Sequence, residues 1–303
     1  MSAPHAPSKK TSSGDAPEDL VFIEPGRSKG VIEVVRHRYL TSLLVHKELR
    51  VRYRGSVLGM LWSYAKPATQ FLVFYFAVGV FMGMSRDIPN YVVYMFSGVV
   101  LINYFSESFT NSTRSVIVNA PLVKKIYLPR QLFPLSSTWV AVVHFLPQLV
   151  ILLLGALLFG WAPGWANIGA ILLGLILVTL FAVGIGLIGG ALNVLYRDTE
   201  NFADLILMIA TWVSPVLYSW QMVHDVLTDG WTWVWYIYQL NPMTVAIELF
   251  HFGFWSPTRD VDVSALPPDM TIWVLLSVLI CGLIMLLGET LFRHLDPRFA
   301  QEL

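Results

Sequence analysis

Five polar residues, Asn103, Glu107, Thr110, Asn111 and Arg114, recur at i, i+4, i+7, i+8 and i+11 in an otherwise largely apolar stretch. At helical pitch they share one face, with Tyr104 beside them. An ionisable group inside lipid is expensive, so Glu107 must face protein or a water-filled path and must have a partner. Arg114 lies two turns along the same face, too far for direct pairing. A cation from the basic cluster at 46–54, in this chain or in a neighbouring copy, is the expected partner. Two readings of the stripe stand side by side: a structural polar contact at an inner helix end, or the lining of a transport path.

Most other chemistry is excluded. The sequence contains no GxxxxGK[ST] phosphate loop, so the chain cannot hydrolyse nucleotide through that motif. Its seven histidines are scattered, with no HExxH and no paired metal-ligand spacing. Cys281 is the single cysteine, which rules out an intrachain disulfide and a cysteine-based zinc site. Asp260 and Asp262 form a DxD pair of the kind that can hold a metal-bound sugar nucleotide, but they fall in an expected external loop and the spacing is common by chance.

These residues are embedded in a chain that is 55% hydrophobic and 13% charged, where a soluble domain carries about a quarter charged residues. That balance predicts an all-α integral membrane protein. A span needs about 20 apolar residues to cross roughly 30 Å of hydrocarbon. Six segments qualify, at 67–85, 91–111, 134–160, 166–194, 203–220 and 271–291. With the N-terminus inside, only Arg86 and Arg259 of the 20 Lys and Arg residues fall outside, the asymmetry that orients membrane chains. Residues 1–30, rich in Ser, Pro, Lys and Asp, contain no apolar core of a signal peptide and are expected to form a disordered cytoplasmic tail. Residues 292–303 are expected to form a second cytoplasmic tail.

The approach to the first span, within 31–66, packs Lys47, Arg50, Arg52 and Arg54 around Tyr53, then continues into Val57, Leu58, Leu61 and Trp62. Apolar positions recurring near the helical period predict an amphipathic helix along the membrane interface. Lys47 and Arg54 interrupt its apolar stripe, and Gly55 is the natural bend. The plainer reading is a basic flank that only fixes orientation. In the inner connection 112–133, Pro121 and Pro129 bracket a short helical piece with Asn119 as its expected N-cap. Leu122, Val123, Ile126 and Tyr127 give it apolar surface beside Lys124 and Lys125, to dock either on a partner protein or on the chain's own interfacial helix. Segment 221–270 carries Trp231, Trp233, Trp235, Tyr236 and Tyr238, then an apolar run too interrupted to cross. Two short re-entrant helices, or an external cap, would suit it. Glu248 is the odd acid in that run, to be met by Arg86 or by substrate hydroxyls. The pairs Gly79/Gly83 and Gly186/Gly190 are hints of close helix packing.

The succession RYRGSVLGMLWSYAKP, NAPLVKKIYLPRQLFPL, LYRDTENF with SPVLY, LNPMTVAIELF and FRHLDPRFAQEL resembles the permease subunit of type-two ABC exporters for bacterial cell-surface polysaccharides, a group that includes exporters of O-antigen, teichoic acid and lipid-linked galactan. The resemblance covers about residues 36–303. It implies a six-span subunit of the inner membrane, with both termini cytoplasmic, that homodimerises and binds two copies of a separate ATPase. ATP and magnesium would sit on that partner, with no cofactor in this chain and no nucleic acid partner. The resemblance places the ATPase-coupling helix at Asn119–Pro129, including Pro121, Leu122, Lys124, Lys125 and Tyr127. It places a gate helix at about Val34–Tyr64, including Lys47, Arg50, Arg52, Tyr53 and Arg54. The conduit for a lipid-linked polysaccharide would lie between two subunits, with Phe71, Phe74, Tyr75, Asn103, Tyr104, Glu107, Asn111, Trp212 and Tyr218 as candidates for its wall. Asn241, Pro242 and Glu248 would govern an outer gate. A stand-alone flippase, an ion-coupled transporter and a membrane enzyme of glycan assembly are the competing classes.

Overall fold

The computed structural model describes residues 30, 34, 37–125, 128–228, 230–258, 261 and 266–303. The expected tail at 1–29, Tyr127, Arg259, Asp260 and Asp262 lie outside the described residues. Those that are described form helices and connections with no strand. Leaving aside single-turn pieces, in chain order they are α1 (Arg38–Arg52), α2 (Trp62–Phe74, continuing as a π-helix over Tyr75–Phe81), α3 (Tyr91–Val118), α4 (Ala120–Lys125), α5 (Leu132–Leu158), α6 (Trp165–Leu195) and α7 (Thr199–Val213). Then follow α8 (Trp220–Thr228), α9 (Thr232–Leu240), α10 (Pro242–Phe250, continuing as a π-turn over His251–Trp255) and α11 (Met270–Leu295). Among the described residues four helices are long and apolar enough to cross a membrane: α3, α5, α6 and α11 with its continuation to Arg298.

The least apolar of these four is the innermost. In α3, 78% of the apolar window is buried, against 39% or less in the other three, so the bundle is built around it. Lipid gives helices no hydrophobic reason to associate, and close packing and interhelical hydrogen bonds must do so instead. The polar residues of α3 supply them: Ser112 Oγ donates to the Pro134 carbonyl at 3.0 Å and Ser108 Oγ to Thr138 Oγ1 at 3.2 Å, both on α5. On its other side α6 approaches through glycines. A Cβ on Gly186 would meet Ser112 Cβ at 2.7 Å, and one on Gly190 would meet the Ser112 carbonyl at 3.0 Å. The same device joins α6 to α11, where a Cβ on Gly288 would lie 2.4 Å from the Gly184 carbonyl oxygen. Of the other expected pair, Gly79 packs under Tyr91, but Gly83 has φ +86° and serves as the turn that ends the helical stretch.

The end of the bundle nearest α1 and α4, where the basic residues gather, holds a second apolar cluster. Val116, Val123, Phe133, Leu187, Phe292 and Phe299 meet there. Arg130 closes it by bonding the carboxylate of Asp296 at 2.9 Å and lying over the Phe299 ring. Arg114 pairs with Glu200 at 2.9 Å, tying α3 to the start of α7.

Three expectations are corrected. The stretch at 203–220 is not one helix: α7 ends at Val213, because Pro215 has no N–H to continue the ladder and forces Ser214 into the extended region, ψ 149°. The non-helical residues after it are held by α3, with Tyr91 Oη donating to the Leu217 carbonyl at 2.9 Å and Tyr94 Oη to the Tyr218 carbonyl at 2.8 Å. The connection at 112–133 is shorter than expected, since α3 runs on to Val118. Asn119 does not cap α4 with its side chain; its Nδ2 reaches back to the Ser115 carbonyl at 2.8 Å, and its Oδ1 accepts from Lys47 on α1. Among its described residues, region 221–270 holds three short helices where two were expected, and α10 begins as the sequence suggests, with Asn241 Oδ1 accepting from Met243 N at 3.1 Å and Pro242 in the first turn.

Substituting Gly288 by Ala should lower the thermal unfolding midpoint of the detergent-solubilised protein by the equivalent of about 1–3 kcal/mol, because the new methyl meets backbone and not a movable side chain. Gly155→Ala, where nothing lies within 4 Å of the added methyl, should leave the midpoint unchanged or raised.

Candidate functional site

Helix α1 lies against α5 and α3 at the basic end. Its anchors are polar: Lys47 donates to Asn119, and Glu48 accepts from Ser137 Oγ at 3.3 Å. Burial raises the Glu48 carboxyl above the usual carboxylate range, opposed by the Ser137 hydrogen bond and by the charges of Arg52 and Lys47. The helix stops at Arg52, and the chain turns through Gly55, φ +76°, and Gly59, φ +50°, before α2 begins. The bend falls where the interrupted apolar stripe placed it. It turns Arg52 and Tyr53 toward α3 and α5, with the Arg52 side chain still partly open to solvent, while Arg50 and Arg54 are exposed.

There Arg52 pairs with Glu107 on α3. His144 on α5 shares the same carboxylate, its Nδ1 2.6 Å from Glu107 Oε1, and its Nε2 is 2.7 Å from Tyr53 Oη. The hydrogens follow from this geometry. Nδ1 donates to the carboxylate; in the neutral ring Nε2 then accepts from the Tyr53 hydroxyl, whose oxygen is also within hydrogen-bond reach of Ser63 at the start of α2. One carboxylate thus collects a guanidinium and an imidazole, while Asn111 Nδ2 stands 3.4 Å away. Four elements meet in this network: the end of α1, the turn after it, α3 and α5.

Around this network lies a polar groove of about 720 Å³. Arg52, Gln70, Asn103, Glu107, Asn111 and Gln148 contribute to its wall, with Trp62 at one side. A second groove of about 480 Å³ shares Trp62 and Gln70 with it and continues along α2 past Ala65, Val73 and Phe74. The first is rich in hydrogen-bonding groups and charge, the second almost wholly apolar. Together they would suit an amphiphile with a polar head and a long hydrocarbon tail.

The structure therefore gathers Arg52, Tyr53, Asn103, Glu107 and Asn111 into one site and leaves other candidates elsewhere. Tyr104 faces the core, its hydroxyl 3.0 Å from Thr179 Oγ1, and lines neither groove. Phe71 stacks with Tyr75 at 6.3 Å and meets Phe96 edge-on at 4.8 Å, so both rings pack against α3. Trp212 is exposed, and Tyr218 folds back to bond the Trp212 and Val213 carbonyls at 2.9 Å. In α4, Val123 is buried and Leu122 half-buried against the chain's own second cluster, leaving Pro121, Lys124 and Lys125 exposed. Glu248 lies at the far end, fully buried, and does not pair with Arg86; its nearest basic group is His251 Nδ1 at 3.6 Å. Sequence reasoning passed over His144 and Gln148. The signal was present: they stand at i and i+4 in an otherwise apolar stretch of α5, the same argument that singled out Glu107.

The family model described as ABC-2 type transporter matches residues 39–255 of this chain. The chain is 31% identical over 268 residues to the O-antigen export system permease protein RfbA of Klebsiella pneumoniae, covering 87% of this chain and 95% of that protein. To the protein of the same name from Myxococcus xanthus it is 30% identical over 195 residues, 64% of this chain and 74% of the relative. To the capsule polysaccharide export inner-membrane protein CtrC of Neisseria meningitidis it is 24% identical over 240 residues, 74% of this chain and 85% of the relative.

If Glu107 is the shared acceptor that docks α1, the effects of Arg52→Met and Glu107→Gln on the unfolding midpoint should be strongly non-additive. A double-mutant cycle should show a coupling of about 0.5–3 kcal/mol. Simple additivity would show that Arg52 and Glu107 contribute separately.

Proposed function

Because this chain belongs to the ABC-2 type transporter family, we propose that it is the membrane subunit of an exporter that moves a lipid-linked polysaccharide out of the cytoplasm, powered by a separate ATPase. The observation that carries the reading is the pair of adjoining grooves at Trp62 and Gln70. A lipid-linked glycan has a charged linkage between sugar and hydrocarbon. The Arg52 side of the polar groove suits the charged linkage, the amides of Gln70, Asn103, Asn111 and Gln148 suit hydroxyls, and the apolar groove along α2 suits the tail. Relatives whose names give O-antigen and capsule polysaccharide as cargo support the same class of substrate.

In this reading the basic end faces the cytoplasm, where the excess of Lys and Arg belongs. α2 with its π-continuation and α7 join the four long helices as the first and fifth of six spans. α8, α9 and α10 are the re-entrant segment at the outer face. Two copies of the chain enclose the conduit, with the exposed apolar faces of α2 and α7 toward lipid or the second copy. ATP and magnesium bind the partner ATPase.

The exposed side of α4, with Pro121, Lys124 and Lys125, is the surface on which that partner acts. The force has a direct route. α4 follows Asn119, Asn119 holds Lys47 of α1, and α3 runs from Asn119 to Tyr91 and Tyr94, which grip the outer segment. A push on α4 shifts α3 as a rod and α1 with it. The gate helix and the outer closure then respond to one movement.

A second reading, a proton-coupled carrier working alone, is favoured by the Tyr53, His144 and Glu107 chain, which has the geometry of a relay. The two readings separate in reconstituted vesicles. Export by the complex of this chain with its ATPase should require ATP, and Lys124→Glu with Lys125→Glu should remove stimulation of ATP hydrolysis by the membrane subunit without preventing insertion. Transport driven by a pH gradient with no ATPase present would contradict the proposal and support the carrier.

A further inference from the structure

The face of α1 that turns away from the bundle is basic. Arg38, Ser42, His46 and Arg50 recur at i, i+4, i+8 and i+12, all of them exposed, with the exposed Tyr39 and Leu43 beside them. Arg54 follows in the turn. Between Arg38 and Trp62 the chain has five cations, Arg38, Lys47, Arg50, Arg52 and Arg54, against the single acid Glu48. That acid turns inward to Ser137, and two of the cations do the same, Lys47 to Asn119 and Arg52 to Glu107. Arg38, Arg50 and Arg54 are left on the outside, with no ion pair or side-chain hydrogen bond among the described residues.

The residues that follow are exposed and apolar. Val57 stands wholly clear of the protein, and Leu58, Met60, Leu61 and Trp62 are exposed with it. Unpaired cations beside such a tip have a specific complement. An acidic protein surface would answer the charges and leave the tip unburied, while hydrocarbon alone would bury the tip and strand the charges. The boundary of a bilayer with anionic headgroups offers both, at adjoining depths. The tip is also continuous with α2, whose apolar groove begins at Trp62.

We propose that Arg38, Arg50 and Arg54 bind anionic phospholipid headgroups of the leaflet at the basic end, with Val57, Leu58 and Leu61 dipping into the acyl chains, and that this occupancy presses α1 onto α3 and α5. The helix is then held from two sides, by Glu107 and Asn119 within and by lipid without. Headgroups move freely in the plane, so α1 can slide with α3 and still resist lifting away from it. Because Arg52 and Tyr53 line the polar groove, the lipid that seats α1 also shapes that groove. The surface charge of the leaflet thereby regulates the exporter. The regulatory part rests on the export reading; the lipid contact does not.

The test uses the complex of the full chain with its ATPase, reconstituted in vesicles of phosphatidylcholine alone or of phosphatidylcholine with an equal part of phosphatidylglycerol. A spin label at Val57, in a Cys281→Ala background, reports the depth of the tip through its collisions with oxygen and with a water-soluble nickel complex. ATP-dependent export of lipid-linked glycan is measured on unlabelled protein. In anionic vesicles at low salt the label should sit among acyl chains. Replacing Arg38, Arg50 and Arg54 together by Gln should cut the ratio of inserted to free tip roughly fivefold for each cation and lower export with it. Phosphatidylcholine alone, or added salt, should act in the same direction. Lys at the three positions should restore both readouts. A label depth that is the same in both lipids and in the Gln variant would overturn the proposal, as would loss of the ATPase from the purified Gln variant, which would assign the face to that partner. Export that ignores lipid charge while the label follows it would overturn the regulatory part. Absence of export from the unmodified complex in either vesicle would remove the export reading and leave the label to decide the lipid contact.

Discussion

A carboxylate within a membrane-spanning helix has to be answered, and in this protein the answer comes from outside the span. Glu107 lies on the most enclosed helix of the bundle, and its cation, Arg52, belongs to a helix that does not enter the bundle. His144 from α5 completes the shell. Everything at the basic end follows from this arrangement. The chain must bend after Arg52 to deliver it, which the left-handed turns at Gly55 and Gly59 allow. The delivered side chains bring Tyr53 and Ser63 to His144 on α5, with α2 alongside α5 and α3. The space left between them is the polar groove, and the apolar face of α2 continues it.

The same helix serves both ends by different means. Toward the basic end α3 offers Glu107 to Arg52 and His144, and Asn119 just past its last turn accepts from Lys47. At the same height it offers serines to α5 and receives the glycines of α6, and toward the far end Tyr91 and Tyr94 hold the irregular backbone after α7. A helix that meets so many partners through hydrogen bonds and close contacts has little freedom to slide relative to any one of them. Movement at one end therefore carries to the other as displacement of a rod. This is the property that the proposed drive through α4 requires.

Much of this was legible in the sequence, and the misses have identifiable causes. The four longest helices fall within a few residues of the expected spans, except that α3 runs on to Val118, because uninterrupted apolar runs of that length leave little choice. The need of Glu107 for a partner from the 46–54 cluster was readable because an unmatched charge in lipid is so costly. What hydropathy cannot register is backbone chemistry. Ser214–Pro215 sits in an apolar run, yet it ends α7, and the π-segments at Tyr75–Phe81 and His251–Trp255 have no compositional mark. Asn119 is a good cap by type, but an amide with a lysine within reach and its own helix behind it bonds both instead. Tyr104 shares the polar stripe's neighbourhood by helical position but points to Thr179, since one residue's rotation, about 100°, separates groove from core. His144 was overlooked because a histidine alone carries no pattern; only beside Gln148 one turn away, in an otherwise apolar span, does it become a signal.

The claim on which the account depends is that the Arg52–Glu107 charge pair holds the interfacial helix against the bundle. Spin labels at the exposed positions Arg50 on α1 and Val118 at the end of α3, in a Cys281→Ala background, would report the separation of the two helices directly. The account predicts one narrow distance distribution for the otherwise unmodified chain and a broad, longer one when Glu107 is replaced by Leu. Identical distributions in the two proteins would contradict it.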